Sequence, residues 1–79
     1  MKPNTALRPL TRGEQEAETE ATRLNELIED ALAIVAVRST SDVDSLEAVT
    51  VRIERAARDL SVALRELAHE RRIAQNSVE

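Results

Sequence analysis

Three features of this sequence predict an all-α fold, an antiparallel two-helix hairpin packed like a coiled coil. Apolar residues recur in alternating steps of four and three along two segments, the spacing that keeps side chains on one helical face. One internal cluster of turn-forming residues, Arg38-Ser39-Thr40-Ser41-Asp42, separates those segments. The one run that could pass for a buried strand, Ala33 to Val37, has no second strand candidate to pair with.

The elements follow in chain order. Residues 1 to 10 hold both prolines, Pro3 and Pro9, and show no periodicity, so they read as a flexible, slightly basic arm. Thr11-Arg12-Gly13-Glu14 then matches a capping box: a Thr side chain accepts from the amide three residues on, while that residue's Glu side chain reaches back. Helix one is expected over 12–38, with a seam of Ala17, Ala21, Leu24, Ile28, Ala31 and Val35. Ser41 is the expected cap of helix two, and Asp42 and Asp44 place negative charge in its first turn, where the helix dipole favours it. Helix two is expected over 42–73 with a seam of Leu46, Thr50, Ile53, Ala57, Leu60, Leu64 and Leu67, followed by a frayed end. Ile28→Asp would bury an unpaired charge in that seam and is expected to unfold the hairpin. Arg71 falls where the helix-two seam continues, and reads as either a stop to the core or a device that fixes register.

More apolar surface exists than one facing helix can cover. Leu27, Ile34 and Leu32 flank the seam of helix one and widen its apolar arc to roughly 160° at about 100° per residue. Leu24, Leu27, Ile28, Ala31 and Ile34, with Val35, make a contiguous patch of the kind that marks an interaction site. Glu20 and Asp30 beside it are candidates for steering a partner. A homodimer completing a four-helix bundle would cover the patch, and so would a helix from another protein. Arg58, Arg65 and Arg72 recur every seven residues and form a stripe on helix two, whereas helix one carries three arginines against seven acidic residues.

Composition narrows the function. A chain of 79 residues without cysteine, and with His69 as its one histidine, lacks disulfides and a zinc ligand set, so oligomerisation or partner binding is left as the means of reinforcing so small a fold. The absence of Phe, Tyr and Trp removes the stacking platforms that single-stranded nucleic acids use, and a net charge of −4 repels phosphate backbones. No segment reaches the roughly 20 apolar residues of a membrane span, and the start of the chain has no signal-peptide character, which together suggest a cytoplasmic location. No nucleophile–base pair, metal set or cofactor motif is visible, so the expectation is a protein without enzymatic activity and without a cofactor.

Leu7-Arg8-Pro9-Leu10-Thr11-Arg12-Gly13, preceding a two-helix unit, resembles the N-terminal region of the TraM-type antiactivators, which inhibit LuxR-family quorum-sensing activators in conjugation systems. Size, acidity and helical content are also similar to the small QseM-type antiactivators of symbiosis islands. The resemblance covers fewer than ten residues and carries over no functional residue. What it implies is a regulator that binds a transcriptional activator and keeps it from DNA. The alternatives are a small chaperone for a secretion-system subunit, a structural homodimeric bundle and, least favoured by charge, a nucleic-acid-binding hairpin.

Overall fold

The computed structural model describes residues 8–38 and 43–77. Helix α1 spans Arg12–Val37 and helix α2 spans Val43–Ser77. The two lie against each other as an antiparallel hairpin with extents of 59 × 32 × 13 Å. The expected Ser41 cap lies outside the described residues.

The start of α1 is fixed by the reciprocal bonds the sequence encodes. Thr11 Oγ1 accepts from the Glu14 amide at 3.1 Å, and a Glu14 carboxylate oxygen accepts from the Thr11 amide at 3.0 Å. These bonds satisfy two of the amides that a helix N-terminus otherwise leaves unpaired. The other end of α1 stops at Val37, where Arg38 takes a left-handed conformation (φ 58°) and donates its amide to the Val35 carbonyl at 3.2 Å. A non-glycine residue in that region pays a steric cost, accepted here so that the chain can leave the helix.

Close approach of the helices rests on small side chains. Among the described residues, Ala17 of α1 and Val49, Ala56 and Ala63 of α2 are the buried apolar ones. Around them Leu24, Leu27, Ala31, Ile34, Ile53, Leu60 and Leu67 are half-buried. The inward rows are therefore Ala17, Glu20, Leu24, Leu27, Ala31, Ile34 on α1 and Val49, Ile53, Ala56, Leu60, Ala63, Leu67 on α2. Half of each row matches the expected seam, but every second member is shifted by one residue. Ala21, Ile28, Val35, Leu46, Thr50 and Leu64, expected inside, are exposed, and Ala57 is half-buried. The apolar arc of each helix is wide enough to pack on either half, and the half chosen sets alanines where the backbones are nearest. Ile28 is 42 % exposed, so the charge of Ile28→Asp would not be trapped between α1 and α2.

Helix α2 runs on to Ser77, past its expected end at Ile73. The added turn has a neighbour: Ala74 borders a cleft shared with Arg8, Pro9, Leu10 and Thr11. Glu70 and Arg71 join the two ends of the chain there. Thr11 Oγ1 donates to Glu70 Oε1 at 2.6 Å, and the Gly13 amide donates to Glu70 Oε2 at 3.3 Å. Gly13 suits this approach, because a Cβ there would sit 3.1 Å from both Glu70 carboxylate oxygens. Glu14 accepts from Arg8 through both oxygens at 2.7 Å and from Arg71 at 3.0 Å. Arg71 thus links the end of α2 to the cap of α1 across the open end of the hairpin.

Two outcomes follow from this junction. Thr11→Ala removes both the helix cap and the Glu70 bond, and should lower stability by about 1–2 kcal/mol, a fall of about 5–10 °C in the midpoint of thermal unfolding followed by circular dichroism. The Glu14 carboxyl is held well below the usual range, first by the Arg8 guanidinium, then by the Thr11 amide and Arg71. A group depressed on folding stabilises the fold above its unfolded value, about 4.3, and loses that contribution as pH falls further. Stability measured by denaturant titration should therefore decline below about pH 4.5, and Glu14→Gln should flatten that part of the profile.

Candidate functional site

The two edges of the hairpin differ in chemistry. Seven-residue spacing puts Glu16, Arg23 and Asp30 of α1 in one row, and Arg52, Asp59 and Glu66 of α2 in another. These rows border the same clefts and so define one edge. Its first cleft, near the open end, has a volume of about 340 Å³ and is lined by Glu16, Glu20, Asp59, Val62, Ala63 and Glu66. A second, of about 250 Å³, has an apolar floor of Leu27, Val51 and Ala56 beneath Arg23, Arg52 and Arg55, with Asp59 at its boundary. A third, of about 440 Å³ near the turn, is bordered by Asp30, Ile34, Val49 and Arg52. Acidic, basic and mixed patches therefore succeed one another along an edge whose floor is aliphatic.

Glu20 stands out among these residues. It occupies an inward position of α1, and its side chain is 25 % exposed. Oε1 is shielded from solvent and accepts no hydrogen bond among the described residues. Its nearest cation, Arg23 Nη1, is 3.8 Å away, close enough for an ion pair but too far for a hydrogen bond. A shielded carboxylate oxygen without a donor has lost water and gained little in return. A donor arriving from outside, such as a lysine or arginine of another protein, would complete it.

The candidate partner-binding residues are divided by the structure. Leu24, Leu27, Ala31 and Ile34 are half-buried at the interhelix seam, with Leu27 and Ile34 also bordering the clefts of the charged edge. Glu20 and Asp30 belong to that edge too. Ile28 lies on the opposite edge and is not brought together with them. Sequence reasoning missed the arginine-walled cleft and the shielded state of Glu20. The second was accessible, since Glu20 lies three residues after Ala17 and four before Leu24, but a carboxylate at such a position is ordinarily discounted as a core member.

Among the described residues, no group of three or more His, Asp or Glu side chains is placed to hold a metal ion. No helix among them is long and apolar enough to cross a membrane.

Glu20→Leu should relieve the unmet acceptor and extend the aliphatic seam. The expected gain is about 1 kcal/mol in unfolding free energy, measured by denaturant titration, with loss of any binding that uses the carboxylate. Comparison with known protein families, curated proteins and solved structures finds no match to this chain.

Proposed function

We propose that this chain is a protein-binding regulator without chemistry of its own, an antiactivator that sequesters a LuxR-type transcriptional activator and keeps it from DNA. The observation that carries this reading is the acidic cleft of Glu16, Glu20, Asp59 and Glu66, with its shielded and donor-less Glu20 oxygen, on an edge floored by aliphatic side chains. A surface that binds DNA presents lysines and arginines evolved to meet phosphates. A row of carboxylates over an apolar floor offers such a surface an alternative partner, with electrostatic steering for encounter and apolar burial for residence. The net charge of −4 acts in the same direction over longer range. The short resemblance to antiactivators before Gly13 agrees with this reading and is independent of the cleft.

In this reading Glu20 and Asp30 steer, while Leu27 and Ile34 supply apolar contact at the rims of their clefts. A secretion chaperone would instead require a target that is insoluble when made alone, so co-expression solubility separates the two. The direct test is binding of a purified LuxR-type activator by surface plasmon resonance or calorimetry. Combined Glu20→Lys and Asp30→Lys should slow association about tenfold at low salt and weaken its salt dependence. Unchanged association kinetics would remove the steering role from these residues, and retention of operator DNA by the activator in the presence of excess hairpin would count against sequestration.

A further inference from the structure

The edge opposite the clefts is apolar and continuous, and all of it but the half-buried Ala57 is exposed. Ala21, Ile28 and Val35 follow Glu14 at intervals of seven on α1, and Thr50, Ala57 and Leu64 precede Arg71 at the same interval on α2. The Glu14–Arg71 contact of 3.0 Å shows that these two rows share one edge. Levels match as large against small: Leu64 lies across from Ala21, Ile28 from Ala57 and Val35 from Thr50. Ile28, Val35 and Leu64 are 42, 62 and 50 % exposed. Even Thr50 is prepared for burial, because its hydroxyl already donates to the Leu46 carbonyl at 2.9 Å. Both helices therefore turn the unused half of their apolar arcs to the same side, the arrangement of a half-bundle.

We propose that a second copy of this chain covers this face, related by a two-fold axis parallel to the helices, to form an antiparallel four-helix bundle. The size fits. Helix α1 has 26 residues and is about 39 Å long, and two helices abreast are about 20 Å wide, a footprint of about 800 Å². That is the burial per partner of a standard stable interface. The hairpin is also only 13 Å thick, a single layer where a stable fold needs two.

Charge selects both the occupant and the axis. Outside the apolar rows, the rim of α1 carries Glu18, Glu29 and Leu32, and the rim of α2 carries Glu54, Arg58 and Arg65. With the axis parallel to the helices, α1 of one copy lies beside α2 of the other at matched level. Glu18 then meets Arg65 of the second copy. One like-charged pair arises, Glu29 against Glu54, with Arg58 a turn from Glu54 to relieve it. An axis perpendicular to the helices would instead stack acidic rim on acidic rim and arginines on arginines. The clefts of the charged edge stay open in the dimer, so this inference does not rest on the activator-binding reading.

Sedimentation equilibrium of the full chain tests the assembly, with circular dichroism to confirm helicity. A reversible monomer–dimer equilibrium is expected. Glu18→Arg or Arg65→Glu alone should weaken the dimer about tenfold, since the symmetry repeats each pair, and the double variant should recover it. A chain that stays helical yet monomeric at every concentration reached would overturn the proposal. So would a dimer whose affinity the single charge changes leave unaltered, or one that the double variant fails to restore.

Discussion

The close approach of two helix backbones over Ala17, Ala56 and Ala63 is the constraint on which the other features depend. Small side chains let the helices come near each other, but they bury little surface, and among the described residues no large side chain is fully enclosed. The larger aliphatics, Leu24, Leu27, Ile34, Ile53, Leu60 and Leu67, therefore sit at the margins of the seam and are half-covered. A hairpin built this way is well specified in register and weakly stabilised by its own core. Its polar junction at the open end, where Thr11, Gly13 and Glu14 meet Glu70 and Arg71, contributes order that the alanine seam cannot.

That junction also explains why the segment before α1 matters. Arg8 and Arg71 converge on one Glu14 carboxylate that is simultaneously the reciprocal cap of α1. A single residue thus couples the entering chain, the helix start and the end of α2. Exposed ion pairs taken singly contribute little, but a carboxylate with four donors in fixed places resists rearrangement more than their separate strengths suggest. At its other end α1 closes on Arg38, which takes a left-handed conformation.

The helical hairpin was legible because period, cap and turn all point to the same fold. Thr11 to Glu14 announced the start of α1, and the break after Arg38 announced its end. Seam choice was not legible, for a physical reason. On α1, Leu27 and Ile34 follow Leu24 and Ala31 by three, while Ile28 and Val35 follow them by four, and hydrophobicity alone ranks the two sets equally. What separates them is backbone distance: α2 offers Ala56 and Ala63 on one side of its Ile53 and Leu60 row. That pairing exists only once both helices are placed. The end of α2 was underestimated because Ala74 to Ser77 have no apolar period, yet they extend a helix that the residues before α1 pack against.

A wide apolar arc that fits two seams is costly if one of them stays in water, and this sequence keeps both. The half facing α2 is interrupted by the Glu20 carboxylate, while the half left outside, from Ala21 to Val35 and from Thr50 to Leu64, contains no charge. The pattern is the reverse of what a solitary hairpin would favour, since the more apolar row would then be placed inside. It is intelligible if each row has its own partner: the alanine-rich row takes the other helix of the same chain, and the charge-free row takes a second molecule. The ionic edge then remains as the surface on which a third component can be recognised. A protein with no aromatic residue and no room for a large core would thus separate assembly from recognition by placing them on opposite edges of two helices.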